Sequence, residues 1–249
     1  ETLTVVLKDP VSGISLYLNY TIFWRGGIIA RSVRLSNEGT KEVHLAKVMS
    51  LCMDLPDSDY EMMQFSGAWA RERYVKKRRL EQGCQSVGSI RGNSSHNHNP
   101  FLVLKRPSAD EFQGEVMGFS LIYSGNFLAQ VEVDTYDTSR VLLGIHPDWF
   151  DWKLEPGEAF QAPEAVMVYS WEGLNGMSQI FHRLYQRRLA RGVWRDRPRP
   201  ILINNWEATY FDFTEDGLVQ IAEKARDCGV ELFVLDDGWF GARRNEYAG

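Results

Sequence analysis

The sequence has few cysteines, no long apolar run and no glycine-rich phosphate motif. Its three cysteines, Cys52, Cys84 and Cys228, are an odd number without CxxC spacing, which argues against a disulfide framework and favours free thiols in a reducing compartment. No window is apolar over the length of a membrane span. Neither GxGxxG nor a P-loop string occurs, so no nucleotide cofactor is implied. We therefore expect a cytoplasmic protein with no membrane partner and no cofactor.

Basic residues are also fewer than acidic ones, with 28 Lys and Arg against 33 Asp and Glu. The net charge of −5 argues against a general nucleic-acid or anionic-membrane binder. The run RERYVKKRR, Arg71–Arg79, is basic, but acidic residues elsewhere outweigh it, and we expect a solvated strand or an interface face. With 44% hydrophobic and 24% charged residues, the composition is that of a globular protein. The chain is long enough for one large domain or two medium ones.

Residues 1–170 have the pattern of an antiparallel sheet protein. Alternating or apolar runs such as TLTVVL, ISLYLNYTIF, FLVLKR and RVLLGI are separated by Gly, Asp, Asn and Pro clusters. One of these runs spans residues 43–51. Many strands with turns between them predict an antiparallel sandwich. The chain opens at Glu1 without an initiator Met, and we expect the native N-terminus, any targeting segment and the start of this domain to lie upstream.

The period changes after residue 170. In GLNGMSQIFHRLYQRRLARG an apolar stripe predicts a helix that stops at Gly192. The following WRDRPRP cannot continue a helix because prolines stand at 198 and 200. We therefore interpret residues 171–199 as a helix and a linker between two domains.

Residues 200–249 have a different pattern, that of a βαβ unit. ILINNW and VELFVL are apolar without alternation, as expected for parallel strands covered on both faces. Between them, Thr214 is a suitable N-cap, and Cys228–Gly229 a suitable stop, for a helix with an apolar face. Strand, helix and strand in this spacing predict a parallel pair.

Both predicted parallel strands end in side chains that could bind a ligand. The first strand ends in Asn204, Asn205 and Trp206, and the second ends in Asp236 and Asp237. Ligands bind at the carboxyl ends of strands in (β/α) barrels and open α/β sheets. A helix cap or a loop ion pair is the alternative interpretation of such an acidic pair.

The spacing of the two acids favours binding over bond cleavage. Glycosidase carboxylates flank the scissile bond, about 5 Å apart in retaining enzymes and further apart in inverting ones. Neighbours on one strand are poorly placed to lie on both sides of a sugar. Adjacent carboxylates can, however, accept hydrogen bonds from adjacent hydroxyl groups. We therefore predict that Asp236 and Asp237 hold a sugar.

The strings NNWEATYFDF and ELFVLDDGWFG resemble the opening of the catalytic barrel of glycoside hydrolase family 36, the microbial α-galactosidases or melibiases. The resemblance extends through FSGAWARER, SSHNHNPF and FSLIYSGNFLAQVE, and so over essentially the whole chain. It implies a multidomain fold, β and then α/β. An antiparallel β-supersandwich over residues 1–170 would be followed, over residues 200–249, by the first βαβ unit of a truncated (β/α)8 TIM barrel.

The resemblance also implies site residues and an activity. Asp236 and Asp237 match the family's pair that binds galactose hydroxyls, and Trp206 matches the tryptophan that lines the galactose pocket. The implied reaction is retaining hydrolysis of terminal α-linked galactose in raffinose- or melibiose-type sugars, without metal or cofactor. The family's aspartate nucleophile belongs to a KWDMNR-like motif, which does not occur in this sequence. We expect the nucleophile and the acid/base to lie beyond Gly249, and this chain alone to be inactive.

Several alternatives stay open at this point. A relative that transfers galactose, or that accepts N-acetylgalactosamine, would share these motifs, as would a non-catalytic carbohydrate-binding or assembly module. His96 and His98 have the spacing of two metal ligands on a strand, but no third ligand is near in sequence, which disfavours a zinc site. In the full-length enzyme we expect a homo-oligomer, a tetramer by resemblance, with residues 65–69 at an interface.

Overall fold

The computed structural model describes residues 1–23, 26–94 and 96–248. Ser95, within the SSHNHNPF motif, and Gly249, the last residue of the predicted barrel segment, lie outside the described residues. The chain forms two compact units, Glu1–Tyr185 and Gln186–Gly249. No helix in the described part of the chain is long and apolar enough to cross a membrane.

The first unit is a mostly antiparallel β sandwich, as the turn-punctuated runs predict. Its strands are β1 (Thr2–Lys8), β2 (Ile14–Phe23), β3 (Ile28–Asn37), β4 (Val43–Leu45), β5 (Met49–Leu55), β6 (Glu61–Ala68), β7 (Arg71–Arg79), β8 (Gly83–Ser89), β9 (His98–Lys105), β10 (Val116–Ile122), β11 (Phe127–Val133), β12 (Ser139–Ile145), β13 (Trp152–Leu154), β14 (Ala159–Gln161) and β15 (Glu164–Ser170). The larger sheet has the strand order β1-β2-β3-β15-β10-β9-β6-β7, with β14 also paired to β3, and the smaller sheet has the order β5-β12-β11-β8. A short pair, β4 and β13, lies outside both sheets.

The main core lies between the two sheets, and a second core lies on the outer face of the larger sheet. Strand β9 is apolar without alternation, and the groups that cover its two faces explain this pattern. Leu102 and Leu104 face the smaller sheet, whereas Val103 belongs to the cluster that includes helix α1 (Gly173–Leu184). Because β9 is covered on both faces, consecutive residues are buried.

Helix α1 packs closely on the larger sheet at Gly118. A Cβ atom at this position would lie 2.5 Å from the ring of Phe181 and 2.6 Å from the sulfur of Met177, both on the helix. The missing side chain therefore lets the helix approach the strand. Phe181 is only 2% exposed and also meets Phe101 edge-on, with ring centroids 5.0 Å apart.

The bounds of one predicted strand and one predicted helix differ from the predictions. The predicted strand over 43–51 is two strands, β4 and β5, which pair with different partners. The prediction that the α-helix runs to Gly192 is also wrong, because it ends at Leu184 and Tyr185–Leu189 is π-helical. The arginine-rich sequence after Leu184 lacks an apolar stripe to bury, so packing no longer favours a regular α-helix.

The second unit contains the predicted strand, helix and strand. Strands β16 (Leu202–Asn204) and β17 (Leu232–Val234) pair in parallel, joined by helix α3 (Glu215–Asp227). The oxygen Oγ1 of Thr214 accepts a hydrogen bond from the N–H of Gly217 and caps this helix. A short helix that the pattern did not predict, α2 (Trp206–Thr209), follows β16 directly.

Candidate functional site

The carboxyl ends of β16 and β17 lie at the same edge of the parallel pair. Asn204 is in register with Val234, so Trp206 and Asp236 each stand two residues past the paired strand ends. Parallel strands present their carboxyl ends together, and side chains from both converge there. The structure thus brings the predicted residues Trp206, Asp236 and Asp237 to one edge.

Two asparagines tie the ends of the strands together. The side-chain amide Nδ2 of Asn204 donates to Oδ2 of Asp236, and its Oδ1 accepts from the backbone N–H of Trp206 at 2.8 Å. Asn205 is fully buried, and its Oδ1 accepts from the backbone N–H of Asp236 at 2.8 Å. Buried polar groups with their hydrogen bonds satisfied hold a segment in one arrangement. The asparagines therefore fix the tryptophan and the acids relative to one another.

The two aspartates have different surroundings. Oδ1 of Asp236 accepts from the N–H of Asp237 at 2.7 Å, while its Oδ2 accepts from Asn204. Oδ1 of Asp237 accepts from the N–H of Gly238 at 2.8 Å and from Nε of Arg243 at 2.6 Å. Asp236 is therefore bound to the scaffold through both oxygens, whereas among the described residues Asp237 uses one.

Arg243 brings a positive charge to this site. Its side chain is 18% exposed and that of Asp237 28%. The hydrogen bond from Arg243 lowers the pKa of the Asp237 carboxyl below 3.8, although partial burial acts in the opposite direction. Asp237 is consequently ionised at neutral pH and able to accept hydrogen bonds from hydroxyl groups.

An aromatic cluster forms one side of the site. The ring of Trp206 meets Phe211 edge-on at 4.9 Å and Tyr210 edge-on at 5.4 Å, between ring centroids. Tyr210 has a φ of 47°, in the left-handed region that a residue with a bulky side chain seldom adopts. Trp206 is half-buried, so part of its ring is accessible to a ligand. An aromatic face beside ionised carboxylates suits a sugar, which has both C–H surfaces and hydroxyl groups.

Sequence reasoning missed Arg243 and Phe211. Gly238 and Gly241 both have positive φ, which turns the chain back and brings Arg243 to the acid six residues before it. The Asp-Gly and Phe-Gly steps signal turns in the sequence, but they do not specify which of the following side chains returns.

The other candidates from the sequence are not among the residues of this cluster. In the first unit, Nδ1 of His98 lies 3.0 Å from Oγ of Ser66, and burial together with the nearby charge of Arg91 lowers its pKa below 6.5. Over residues 1–23, 26–94 and 96–248, no group of three or more His, Cys, Asp or Glu side chains could hold a metal ion. The three cysteines are free and exposed. Strand β7, the basic run, is exposed along its whole length, as expected for either a solvated strand or an interface face.

Comparisons with known proteins cover almost every residue. The profile of the glycosyl hydrolase family 36 N-terminal domain matches residues 1–155, and the melibiase profile matches residues 159–249. The chain is 54% identical over 246 residues to alpha-galactosidase AgaA of Geobacillus stearothermophilus, and 48% identical to alpha-galactosidase Mel36A of Lactobacillus acidophilus. Each alignment covers 99% of this chain and 34% of the relative, so the chain spans about a third of the length of these relatives.

A solved structure supports the same relationship. The crystal structure of an AgaA variant from Geobacillus stearothermophilus in complex with raffinose superposes with a TM-score of 0.96 at 54% identity. The match covers 98% of this chain and 34% of that one.

Proposed function

Because the chain belongs to glycoside hydrolase family 36, we propose that it is an N-terminal portion of a retaining α-galactosidase. The enzyme would remove terminal α-linked galactose from raffinose- or melibiose-type oligosaccharides. The proposal rests on relatives that are alpha-galactosidases and on a relative bound to raffinose. Within it, the role of residues 1–248 is to supply the β sandwich and one part of the galactose pocket.

The observation that carries the proposal is the cluster at the strand ends. Trp206 and Asp236 are bridged by Asn204, and one oxygen of Asp237 has no hydrogen-bond donor among the described residues. The two carboxylates would accept hydrogen bonds from neighbouring hydroxyl groups of galactose, and the C–H surface of the sugar would pack on Trp206. We assign substrate binding to Trp206, Asp236 and Asp237.

The chemical step requires other carboxylates. A retaining glycosidase places its nucleophile and its acid/base on opposite sides of the scissile bond, about 5 Å apart. Asp236 and Asp237 are chain neighbours, and each is engaged by a side chain of the scaffold, Asn204 or Arg243. We therefore propose that they bind the sugar and that the nucleophile and the acid/base come from parts of the enzyme after Gly249.

The second unit would be the beginning of the catalytic barrel. Its parallel pair β16 and β17, joined by α3, has the arrangement of one βαβ unit of a (β/α)8 barrel. We propose domain limits of 1–170 for the β-supersandwich, 171–199 for the connecting helix and linker, and 200–249 for the start of the barrel.

Activity assays of two purified proteins test the proposal. The full-length enzyme carrying this segment should hydrolyse p-nitrophenyl α-galactoside and raffinose, and the 249-residue chain should not. Galactosyl transfer or a preference for N-acetylgalactosamine in the full-length protein would select one of the related activities. No activity on any of these substrates would favour a non-catalytic carbohydrate-binding or assembly module and contradict the proposal.

We also propose that the full-length enzyme is a homo-oligomer with residues 65–69 at an interface. Trp69 is 82% exposed at the turn between β6 and β7, and Tyr74 on β7 is 56% exposed. Exposed aromatic side chains are typical of interfaces. Sedimentation of the full-length enzyme should show a species larger than a monomer, and a strict monomer would contradict this assignment.

A further inference from the structure

The turn after β17 brings an arginine back onto one of the two acids. Gly238 has a φ of 95°, and a Cβ atom there would lie 3.0 Å from the ring of Phe211. The chain therefore turns tightly at this glycine, as only a residue without a side chain does at low cost. Arg243, six residues after Asp237, then places its Nε 2.6 Å from Oδ1 of that aspartate.

The arginine is itself held on several sides. Its guanidinium lies 5.7 Å from the ring centroid of Phe211 and 5.9 Å from that of Phe240. Its Nη1 donates to the backbone carbonyl of Ala248. A planar guanidinium that is stacked and hydrogen-bonded loses little further freedom when it binds a carboxylate. Arg243 is therefore a rigid partner for Asp237.

Because of this contact, the two oxygens of the Asp237 carboxylate have different hydrogen-bond partners. Oδ1 receives Arg243 Nε and the N–H of Gly238, 2.6 and 2.8 Å away. Within residues 1–23, 26–94 and 96–248, Oδ2 is left without a hydrogen-bond donor. A carboxylate held through one oxygen cannot rotate freely, so its second oxygen has a fixed direction.

We propose that Arg243 is a positioning residue for sugar binding, which orients Asp237 so that Oδ2 accepts a hydrogen bond from a galactose hydroxyl group. The inference rests on the proposed function and deepens it. Phe211 lies between Arg243 and Trp206, with contacts to both, so the arginine also links the acid to the aromatic side of the site. The other charged groups nearby are Asp236 and Glu246, whose carboxylate acts on Arg243.

Kinetics of the full-length enzyme with single and double substitutions test the role. In Arg243→Met, KM for p-nitrophenyl α-galactoside and the inhibition constant for galactose should rise about fivefold, as expected for a partly exposed ion pair. The kcat should change less, because the interaction is made in the ground state as well as in the transition state. The acidic limb of the pH profile of kcat/KM should move to higher pH.

Three further variants separate positioning from structure. Arg243→Lys keeps the charge and should restore part of the affinity and most of the pH profile. Arg244→Met removes the neighbouring exposed arginine and should leave the affinity and the pH profile unchanged. In the Asp237→Asn background, adding Arg243→Met should have little further effect, because the partner charge is already absent.

The possible results distinguish this inference from the proposed function. An inactive wild-type full-length protein would overturn the proposed function itself. An active wild type whose Arg243→Met variant keeps the same KM and pH profile would overturn only the role of Arg243. Additive effects of Asp237→Asn and Arg243→Met in the double variant would also overturn the role of Arg243. So would loss of folded structure in both Arg243 variants, measured by urea unfolding, since the residue would then serve the fold.

Discussion

Nδ2 of Asn204 donates to Oδ2 of Asp236 across the carboxyl ends of two parallel strands. The bond joins residues 32 positions apart in the chain, and it connects the strand that leads to Trp206 with the strand that leads to both acids. Because the same asparagine accepts the N–H of Trp206, one side chain sets the spacing of the candidate sugar site. The position of the acids therefore depends on the pairing of β16 with β17 as well as on the loop that follows β17.

Replacing Asp237 by Asn in the full-length enzyme should lower kcat/KM on α-galactosides at least about tenfold, as expected for loss of a charge-assisted hydrogen bond to a hydroxyl. Asp212→Asn is the matched control, because Asp212 is an exposed acid in the same unit. It should have wild-type kinetics. Wild-type kcat/KM in the Asp237→Asn enzyme would contradict the assignment of Asp237 to the sugar site.

Replacing Phe181 by Ala should destabilise the β sandwich by about 3–5 kcal/mol, the usual cost of removing a buried aromatic ring. The ring is 2% exposed and packs on Phe101 and Gly118. Phe112→Ala is the control, since Phe112 is 75% exposed and its loss should cost less than about 0.5 kcal/mol. Urea unfolding of the 249-residue chain measures both, and equal midpoints would contradict the packing of α1.

His98 should make the stability of the β sandwich depend on pH. Burial and the charge of Arg91 lower its pKa below 6.5, so below that pH the unfolded state binds a proton that the folded state resists. The stabilisation is therefore present above 6.5 and is lost as the pH falls through the lowered folded pKa.

Thermal unfolding at a series of pH values tests this dependence. His98→Gln should show a smaller loss of stability on acidification than wild type. His96→Gln, which changes an exposed histidine two residues away, should behave as wild type. If His98→Gln follows the wild-type curve, burial of His98 does not influence the acid stability.

Much of this architecture follows from the sequence, for identifiable reasons. The parallel strands are recognisable because ILIN and LFVL are apolar without alternation, and the ends of such strands meet at one edge. The expected burial on both faces is not seen in this chain, where each strand begins with an exposed leucine and continues with half-buried residues. Thr214 predicts the start of α3 because its side chain satisfies a free backbone N–H. These features depend on local chemistry and are therefore visible in the amino-acid order.

Other features depend on contacts between distant residues and are not visible in this way. Strand β8 is largely polar and gives no clear alternation, yet it pairs with β11 along its whole length. The return of Arg243 to Asp237 depends on the positive φ angles of Gly238 and Gly241, which a sequence permits but does not dictate. The π-helical turn at Tyr185 accompanies a hydrogen bond from its hydroxyl to Oγ of Ser120 on β10.

A crystal structure of the full-length enzyme with bound galactose would show whether the strand ends hold the sugar. We expect sugar hydroxyl oxygens within about 2.5–3.0 Å of carboxylate oxygens of Asp236 and Asp237. Oδ2 of Asp237 should be among these oxygens, and the C–H surface of the sugar should lie against Trp206. Galactose bound elsewhere, with neither carboxylate in contact with it, would contradict the assignment of the strand ends as the sugar site.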